Sequence, residues 1–396
     1  MTNDALLSVS QDELDDLRER ERRTRWAPDW PVTANAGERS GSRAGDPPRA
    51  SDSITEWSAG TDPSVLRRLA NHWVDGFDWD AQQREINALP WATAVITGTP
   101  LTYLRFDGEA PGALPLILTN GWPSTAVEMV DVARRLAEPS RYGGSPTDSF
   151  TVIVPALPGF PFSPQRTDHT DQTHELWHTL MTEHLGFEKY GAHGGDLGAG
   201  ITSRLAQAHP ESVVGIHLLA IATAPHVDPE TVTAEEQVYI DAVDDWRANE
   251  GGYQHQQSTR PLTLSPALSD SPVGLLSWIV EKHRAWSDCD GDASTRFTDD
   301  YLVTVASLYW FTNSISTSFR PYWEYSAGFT PRVERVEVPT AIALFPSDIS
   351  QPPRSWAERL YPVVRYTRMP RGGHFAPHEE PELLAEDISA FFASYR

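Results

Sequence analysis

Apolar positions along this chain change their period near residue 93. Ahead of that point the spacing is helical. Leu14 and Leu17 lie three apart in a charged segment, residues 11–26, that ends in Trp26-Ala27-Pro28. Val65, Leu66, Leu69, Trp73 and Phe77 then recur at steps of three and four, one face of a helix over residues 62–79, and a shorter helix is expected over 82–89. Aromatic residues on these faces imply packing against a neighbouring domain. Residues 33–53, rich in Gly, Pro, Ser and Arg, read as a disordered loop.

Beyond residue 93 short apolar runs stand at 114–118, 150–154, 190–193, 213–221, 341–345 and 363–368, several followed by a Gly or Pro turn and a helical pattern. Strand, turn and helix in this rhythm imply an α/β fold, a mostly parallel sheet with flanking helices. Function in such sheets sits in the loops beyond the carboxyl ends of the strands. Over residues 223–335 the rhythm breaks into helical patterns at 235–247, 273–286 and 299–318. An all-helical insertion there would cover the strand ends as a lid. The expected organisation is an N-terminal helical segment (1–92), a first core part (93–222), the lid (223–335) and a C-terminal core part (336–396).

Composition narrows the class. Of 396 residues 39% are hydrophobic and 10% aromatic, enough for a full core. Basic residues number 32 against 55 acidic, and a net charge of −23 repels nucleic acid and anionic membrane alike. One cysteine, Cys289, excludes an internal disulfide and a multi-thiolate metal site and suits a reducing cytosol. The first 25 residues are charged, with no apolar centre of a secretion signal. The longest apolar run, 213–225, contains His217 and is shorter than the roughly 20 residues of a membrane helix. A cytoplasmic protein without membrane contact, metal or cofactor is expected.

Three polar residues stand just past predicted strands. Asp196 sits in Gly194-Gly195-Asp196-Leu197-Gly198-Ala199, where small neighbours permit a sharp strand-to-helix turn. That turn is better known as Gly-x-Ser-x-Gly, a pattern absent from this chain. Alternatively Asp196 simply caps the next helix. Asp348 follows in Phe345-Pro346-Ser347-Asp348, and His374 in Arg371-Gly372-Gly373-His374-Phe375. Taken together they have the nucleophile–acid–base order of the α/β-hydrolase fold. The loop Leu118-Thr119-Asn120-Gly121-Trp122-Pro123-Ser124 follows an early strand and would supply one oxyanion-hole N–H, from Trp122; Leu197 would supply the other. Residues 155–163 carry a proline- and glycine-rich loop after the next strand.

An aspartate nucleophile changes the chemistry. Its pKa near 3.9 leaves it ionised at neutral pH, able to attack a saturated carbon and form an alkyl ester. His374 would then activate water against the ester carbonyl. The substrate is therefore an epoxide or an alkyl halide. An opening epoxide needs a hydroxyl donor for its oxygen, whereas a halide needs N–H groups, and Leu197 next to the nucleophile offers none on its side chain. Tyr253, Tyr309, Tyr322 and Tyr325 are candidate donors, since phenols stay protonated to about pH 10. Spacing alone does not choose among them.

The chain resembles the epoxide hydrolases of the microsomal type across nearly its whole length. The likeness rests on Trp73-Val74-Asp75-Gly76-Phe77-Asp78-Trp79, on Gly194-Gly195-Asp196, and on Tyr253 with Ser258-Thr259-Arg260-Pro261 and Ser271-Pro272-Val273-Gly274-Leu275-Leu276-Ser277-Trp278-Ile279. Leu308-Tyr309-Trp310, Arg320-Pro321-Tyr322-Trp323-Glu324, and Gly372-Gly373-His374-Phe375 with Glu379-Glu380-Pro381-Glu382-Leu383 complete it. The resemblance implies an α/β-hydrolase fold with a helical lid and an N-terminal wrapping segment, and Tyr253 and Tyr322 as donors to the epoxide oxygen. Asn120 stands where the family often has His, and Leu197 where Trp is frequent. Mammalian members often carry Glu at the position of Asp348, and their membrane-anchor helix has no counterpart here.

The expected activity is hydrolysis of an epoxide to a vicinal diol through an ester on Asp196, in detoxification or secondary metabolism. A haloalkane dehalogenase is the alternative enzyme, and a silent α/β-hydrolase used for binding is the alternative of another class. Fourteen tryptophans would suit an aromatic epoxide, although most should be packing. N-terminal aromatics would suit a homodimer contact.

Overall fold

The computed structural model describes residues 6–28, 57, 59–166, 172–222 and 227–396; the loop read at 33–53 lies outside them. Helix α1 (Gln11–Arg22) starts on a capping box, with the Ser10 hydroxyl accepting from the Glu13 N–H and the Glu13 carboxylate accepting from the Ser10 N–H. The helix expected over 62–79 stops four residues early, at Asp75, and the shorter one expected over 82–89 starts three residues early, at Trp79. Asp62 caps α2 (Pro63–Asp75), which ends at Gly76, and Asp78 accepts from the Ala81 N–H to start α3 (Trp79–Asn87).

Eight strands follow: β1 (Trp91–Ile96), β2 (Thr99–Phe106), β3 (Leu114–Thr119), β4 (Phe150–Pro155), β5 (Tyr190–Gly194), β6 (Val213–Leu218), β7 (Thr340–Leu344) and β8 (Val363–Arg368). They form one sheet in the order β1-β2-β4-β3-β5-β6-β7-β8. β1 and β2 pair antiparallel, as do β2 and β4, and the remaining pairs are parallel. The six runs read from the sequence correspond to β3–β8, the run at 213–221 being shorter than expected. The β1–β2 hairpin went unread. Its two-residue turn holds Thr97 at φ 50° and Gly98 at φ 83°, both left-handed, as a tight hairpin with right-handed twist requires.

Side chains alternate across the sheet. Ile117 of β3 joins a core with Trp177, Leu205 and Ile201, under α5 (Thr173–Thr179) and α6 (Leu197–Ala208). Leu116 and Leu118 point the other way, into a core with Leu136, Leu384 and Ile388. There α4 (Val130–Ala137) covers the sheet together with two later helices. The five strands β3–β7 are thus buried on both faces, as parallel sheets require.

Among the described residues seven α-helices lie between β6 and β7: α7 (Ala234–Asn249), α8 (Gly252–Thr259), α9 (Pro261–Asp270), α10 (Pro272–Ala285), α11 (Asp299–Phe311), α12 (Ile315–Ser318) and α13 (Arg320–Ser326). The helix expected over 299–318 breaks at Asn313, whose φ is 48°. The chain closes with α14 (Arg354–Ala357), α15 (Ala376–Glu379) and α16 (Pro381–Phe392), the last packing beside α4. The N-terminal helices dock on this inserted layer. The Trp73 indole N–H donates to Ser307 Oγ at 2.8 Å in a buried contact, Thr61 Oγ1 donates to the Ser277 carbonyl at 3.0 Å, and His72 meets Asp300 at 2.6 Å. Among the described residues no helix is long and apolar enough to cross a membrane.

Candidate active site

The turn from β5 into α6 is built by sterics. Asp196 adopts φ 49°, ψ −125°, a strained backbone for a residue with a side chain. A Cβ on Gly198 would lie 2.1 Å from the Thr119 carbonyl oxygen, and one on Gly194 would lie 2.3 Å from the Gly198 carbonyl oxygen. Only glycine at both positions lets the turn close this tightly. Asp196 makes no capping bond to α6. Instead its Oδ1 accepts from the Trp122 N–H at 2.9 Å. Gly121 permits that approach, since a Cβ there would meet Asp196 at 2.3 Å. Leu197 opens α6, so its N–H belongs to the helical turn whose amides lack an intrahelical acceptor.

Asp348 and His374 reach the same point from the loops after β7 and β8. His374 Nδ1 lies 2.7 Å from Asp348 Oδ1, and Nε2 lies 3.7 Å from Asp196 Oδ2. The His374 backbone N–H donates to the Trp286 carbonyl at 2.8 Å, and the Trp286 ring stands edge-on to the imidazole at 5.1 Å. Burial works against the imidazolium, but the Asp348 carboxylate, as charge and as hydrogen-bond partner, outweighs it. With Asp196 and Glu128 adding to the field, the pKa of His374 rises to about 9.

Two tyrosines hang from the inserted helices over Asp196. Tyr253 on α8 stacks on the Trp122 ring, centroids 5.4 Å apart at 8°, and Tyr322 on α13 stands at right angles to the same ring. The two phenol rings are 6.2 Å apart. The Tyr322 hydroxyl is buried without a hydrogen-bond partner. Burial, followed by the Asp196 charge, pushes both phenols well above their ordinary pKa, so both stay protonated. The other candidates differ. Tyr309 spends its hydroxyl on the Ser124 carbonyl at 3.0 Å, and Tyr325 is 47% exposed. Asp196, Leu197, His374, Tyr253 and Tyr322 all line one cavity of about 310 Å³, with Phe160 and Trp246 among its walls.

Three neighbours were not read from the sequence. Trp286 closes the site behind His374. Lys282 is buried with its ammonium 4.8 Å from the centre of the Tyr253 ring. Glu128 lies with Asp196 and His374 around a separate small cavity. Of these, Glu128 alone had a signal, an acid four residues past the end of a loop already singled out. Among the described residues His178, His209 and Glu211 cluster as metal ligands would. The two imidazoles, however, stack in parallel planes 3.5 Å apart, so their in-plane lone pairs do not converge on one ion.

Comparison with known proteins agrees with this geometry. Residues 3–129 match the family described as epoxide hydrolase N terminus, and residues 114–251 match the alpha/beta hydrolase fold. Epoxide hydrolase 1 of Oryctolagus cuniculus is 33% identical over 371 residues, spanning 84% of this chain and 80% of its own. The structure of Aspergillus niger epoxide hydrolase superposes with a TM-score of 0.81 at 26% identity, covering 98% of this chain and 95% of that one. Juvenile hormone epoxide hydrolase of Bombyx mori also gives 0.81, at 25% identity, covering 98% and 93%.

Proposed function

The chain belongs to the epoxide hydrolase family, and from that premise we propose that Asp196, His374, Asp348, Tyr253 and Tyr322 carry out its reaction, the addition of water to an epoxide to give a vicinal diol. The observation that carries the assignment is the Asp196 carboxylate, with one oxygen on the Trp122 N–H and the other facing His374. Oδ2 attacks a ring carbon and forms the ester. The epoxide C–O bond breaks as Tyr253 and Tyr322 hydrogen-bond the departing oxygen, which takes a proton from one phenol. Water then attacks the ester carbon, His374 Nε2 takes its proton, and negative charge collects on Oδ1 beside the Trp122 and Leu197 amides. Asp348 holds the imidazole in orientation.

Esterification also prepares the base. A resting pKa of about 9 keeps His374 protonated at neutral pH, partly through the Asp196 charge. That charge disappears when the ester forms, so the imidazole pKa falls and its neutral form becomes available for the second step.

The aromatic walls of the 310 Å³ cavity favour an aryl epoxide. A haloalkane substrate is disfavoured by Leu197 and by the two phenols, which suit an oxygen leaving group. A silent binding protein has no use for a paired Asp348–His374 aimed at Asp196. We read the chain as an N-terminal helical segment, a first core part opening with β1 at Trp91, a lid between β6 and β7, and a C-terminal core part. Trp73 and Trp79 are buried within this chain, so they lend nothing to a homodimer contact. The single buried thiol of Cys289 is consistent with the cytoplasm.

Single turnover of styrene oxide in heavy-oxygen water tests the mechanism. Label is expected in the peptide containing Asp196 and not in the first diol released. Label going straight into the diol would overturn the ester route. Asp196→Ala should abolish turnover, and His374→Gln should trap the ester.

A further inference from the structure

A second cavity touches the reactive carboxylate, and neither lid tyrosine lines it. It measures about 20 Å³ and is bordered by Asp196, Asp348 and His374 together with Asn120, Ser124 and Glu128. One water molecule needs about 10–15 Å³ of such space. Two buried oxygens at its border lack any hydrogen-bond partner: Oδ1 of Asn120, a residue 1% exposed, and Oε2 of Glu128. Bare acceptors beside a water-sized space are what a donor with two O–H groups would satisfy.

We propose that this cavity binds the hydrolytic water and that Glu128 and Asn120 orient it for attack on the Asp196 ester. The inference rests on Asp196 being the nucleophile and assigns a site for the second half-reaction. Water oxygen forms a bond to Asp196 Cγ while one of its protons passes to His374 Nε2. The carbonyl electron pair moves to Oδ1, held by the Trp122 and Leu197 amides. Collapse restores the carbonyl and breaks the Cγ–Oδ2 bond, Oδ2 leaves in the diol with the proton from His374, and the second water proton leaves the regenerated Asp196 carboxyl through solvent to restore the phenol that protonated the epoxide oxygen. Throughout, the second O–H of the water points at Glu128 Oε2 and Asn120 Oδ1, which turns a lone pair toward Cγ.

The charges around Glu128 act in both senses. Burial above all raises its pKa to about 7; the Ser124 hydroxyl and His374 favour its anion, while Glu379 and Asp196 oppose it. Ester formation removes the Asp196 charge that opposes the Glu128 anion, while the neutral His374 it leaves no longer favours that anion, so the acceptor role of Glu128 rests on its unpartnered Oε2 at the cavity. The Asn120 oxygen serves the same water.

Rapid-quench mass spectrometry of the Asp196 peptide with styrene oxide separates ester formation from ester hydrolysis. Glu128→Gln is expected to slow hydrolysis by at least about tenfold and to leave ester formation within about threefold. Ester then accumulates and kcat and KM fall together. Asn120→Ala should shift the same step in the same direction, and Glu128→Asp should recover part of the loss. Hydrolysis at the wild-type rate in Glu128→Gln or, should that variant not fold, in Asn120→Ala overturns the proposal, as does equal slowing of both steps. If wild-type enzyme forms no ester at all, the nucleophile assignment fails and this inference with it.

Discussion

At the scale of single residues, Lys282 is the least expected member of the site. Its ammonium lies 4.8 Å from the centre of the Tyr253 ring and 5.5 Å from that of Trp286. When Tyr253 donates to an opening epoxide its ring gains electron density, and a cation over the face of the ring favours that change by about 1–2 kcal/mol. Lys282→Met should therefore slow ester formation by roughly 5- to 30-fold and leave ester hydrolysis alone, measured by single turnover. Equal slowing of both steps would assign Lys282 to lid packing. Tyr253→Phe and Tyr322→Phe should each slow ester formation by about a hundredfold, while Tyr309→Phe, whose hydroxyl is committed to Ser124, should do far less. Lys282 was not legible in the sequence, because a lysine after Glu281 on an amphipathic helix reads as a solvated pair. Its burial depends on where the lid folds back.

Whole elements were legible where local chemistry dictates them. The strand–Asp196–helix turn follows from glycine spacing, and the structure gives the reason in Gly198, whose Cβ would sit 2.1 Å from the Thr119 carbonyl oxygen. Gly198→Ala should move the turn, lower the melting temperature by several degrees in a thermal scan and remove most activity. A wild-type profile would show the elbow to be looser than its contacts imply. Elsewhere the local signals are weaker. α8 is polar, α9 carries Pro266 in its interior, and α13 is seven residues long, so none shows a clear helical period. The β1–β2 hairpin turns on Thr97-Gly98, a weaker signal than Asn-Gly, although Ala94 and Ile96 alternate inward as a half-buried strand should. Tyr253 and Tyr322 came only through family likeness, since they sit 69 residues apart and meet through the packing of α8 on α13.

At the scale of the molecule, stability and catalysis pull pH in opposite directions. Burial is the first cause that raises Glu21 to about 8, and Glu128 and Glu379 to about 7. Each carboxyl then binds its proton more tightly folded than unfolded. Stability from this source is complete below about pH 4.5 and declines as pH rises through 7 to 8. His374 acts in the same sense, its contribution present below about 6.5 and lost through about 9. Glu236, lowered to about 2 by its Arg359 hydrogen bond against opposing burial, works the other way, but its gain is complete above the ordinary carboxylate range. Self-repulsion among 55 acidic side chains adds to the loss on the alkaline side. Burial lowers the pKa of His178, His193, His283 and His378, which oppose this trend only below about pH 6.5, so the melting temperature should be higher at pH 6.5 than at pH 8.5. Glu21→Gln, which removes a carboxyl with both oxygens buried and unpartnered, should raise it more at pH 8.5 than at pH 6.5. Ester hydrolysis needs neutral His374 and so gains from the alkaline shift that weakens the fold. Differential scanning calorimetry of wild type and Glu21→Gln at the two pH values, beside single-turnover hydrolysis rates, checks both trends. A melting temperature that rises with pH would mean that the buried carboxyls are relieved in solution.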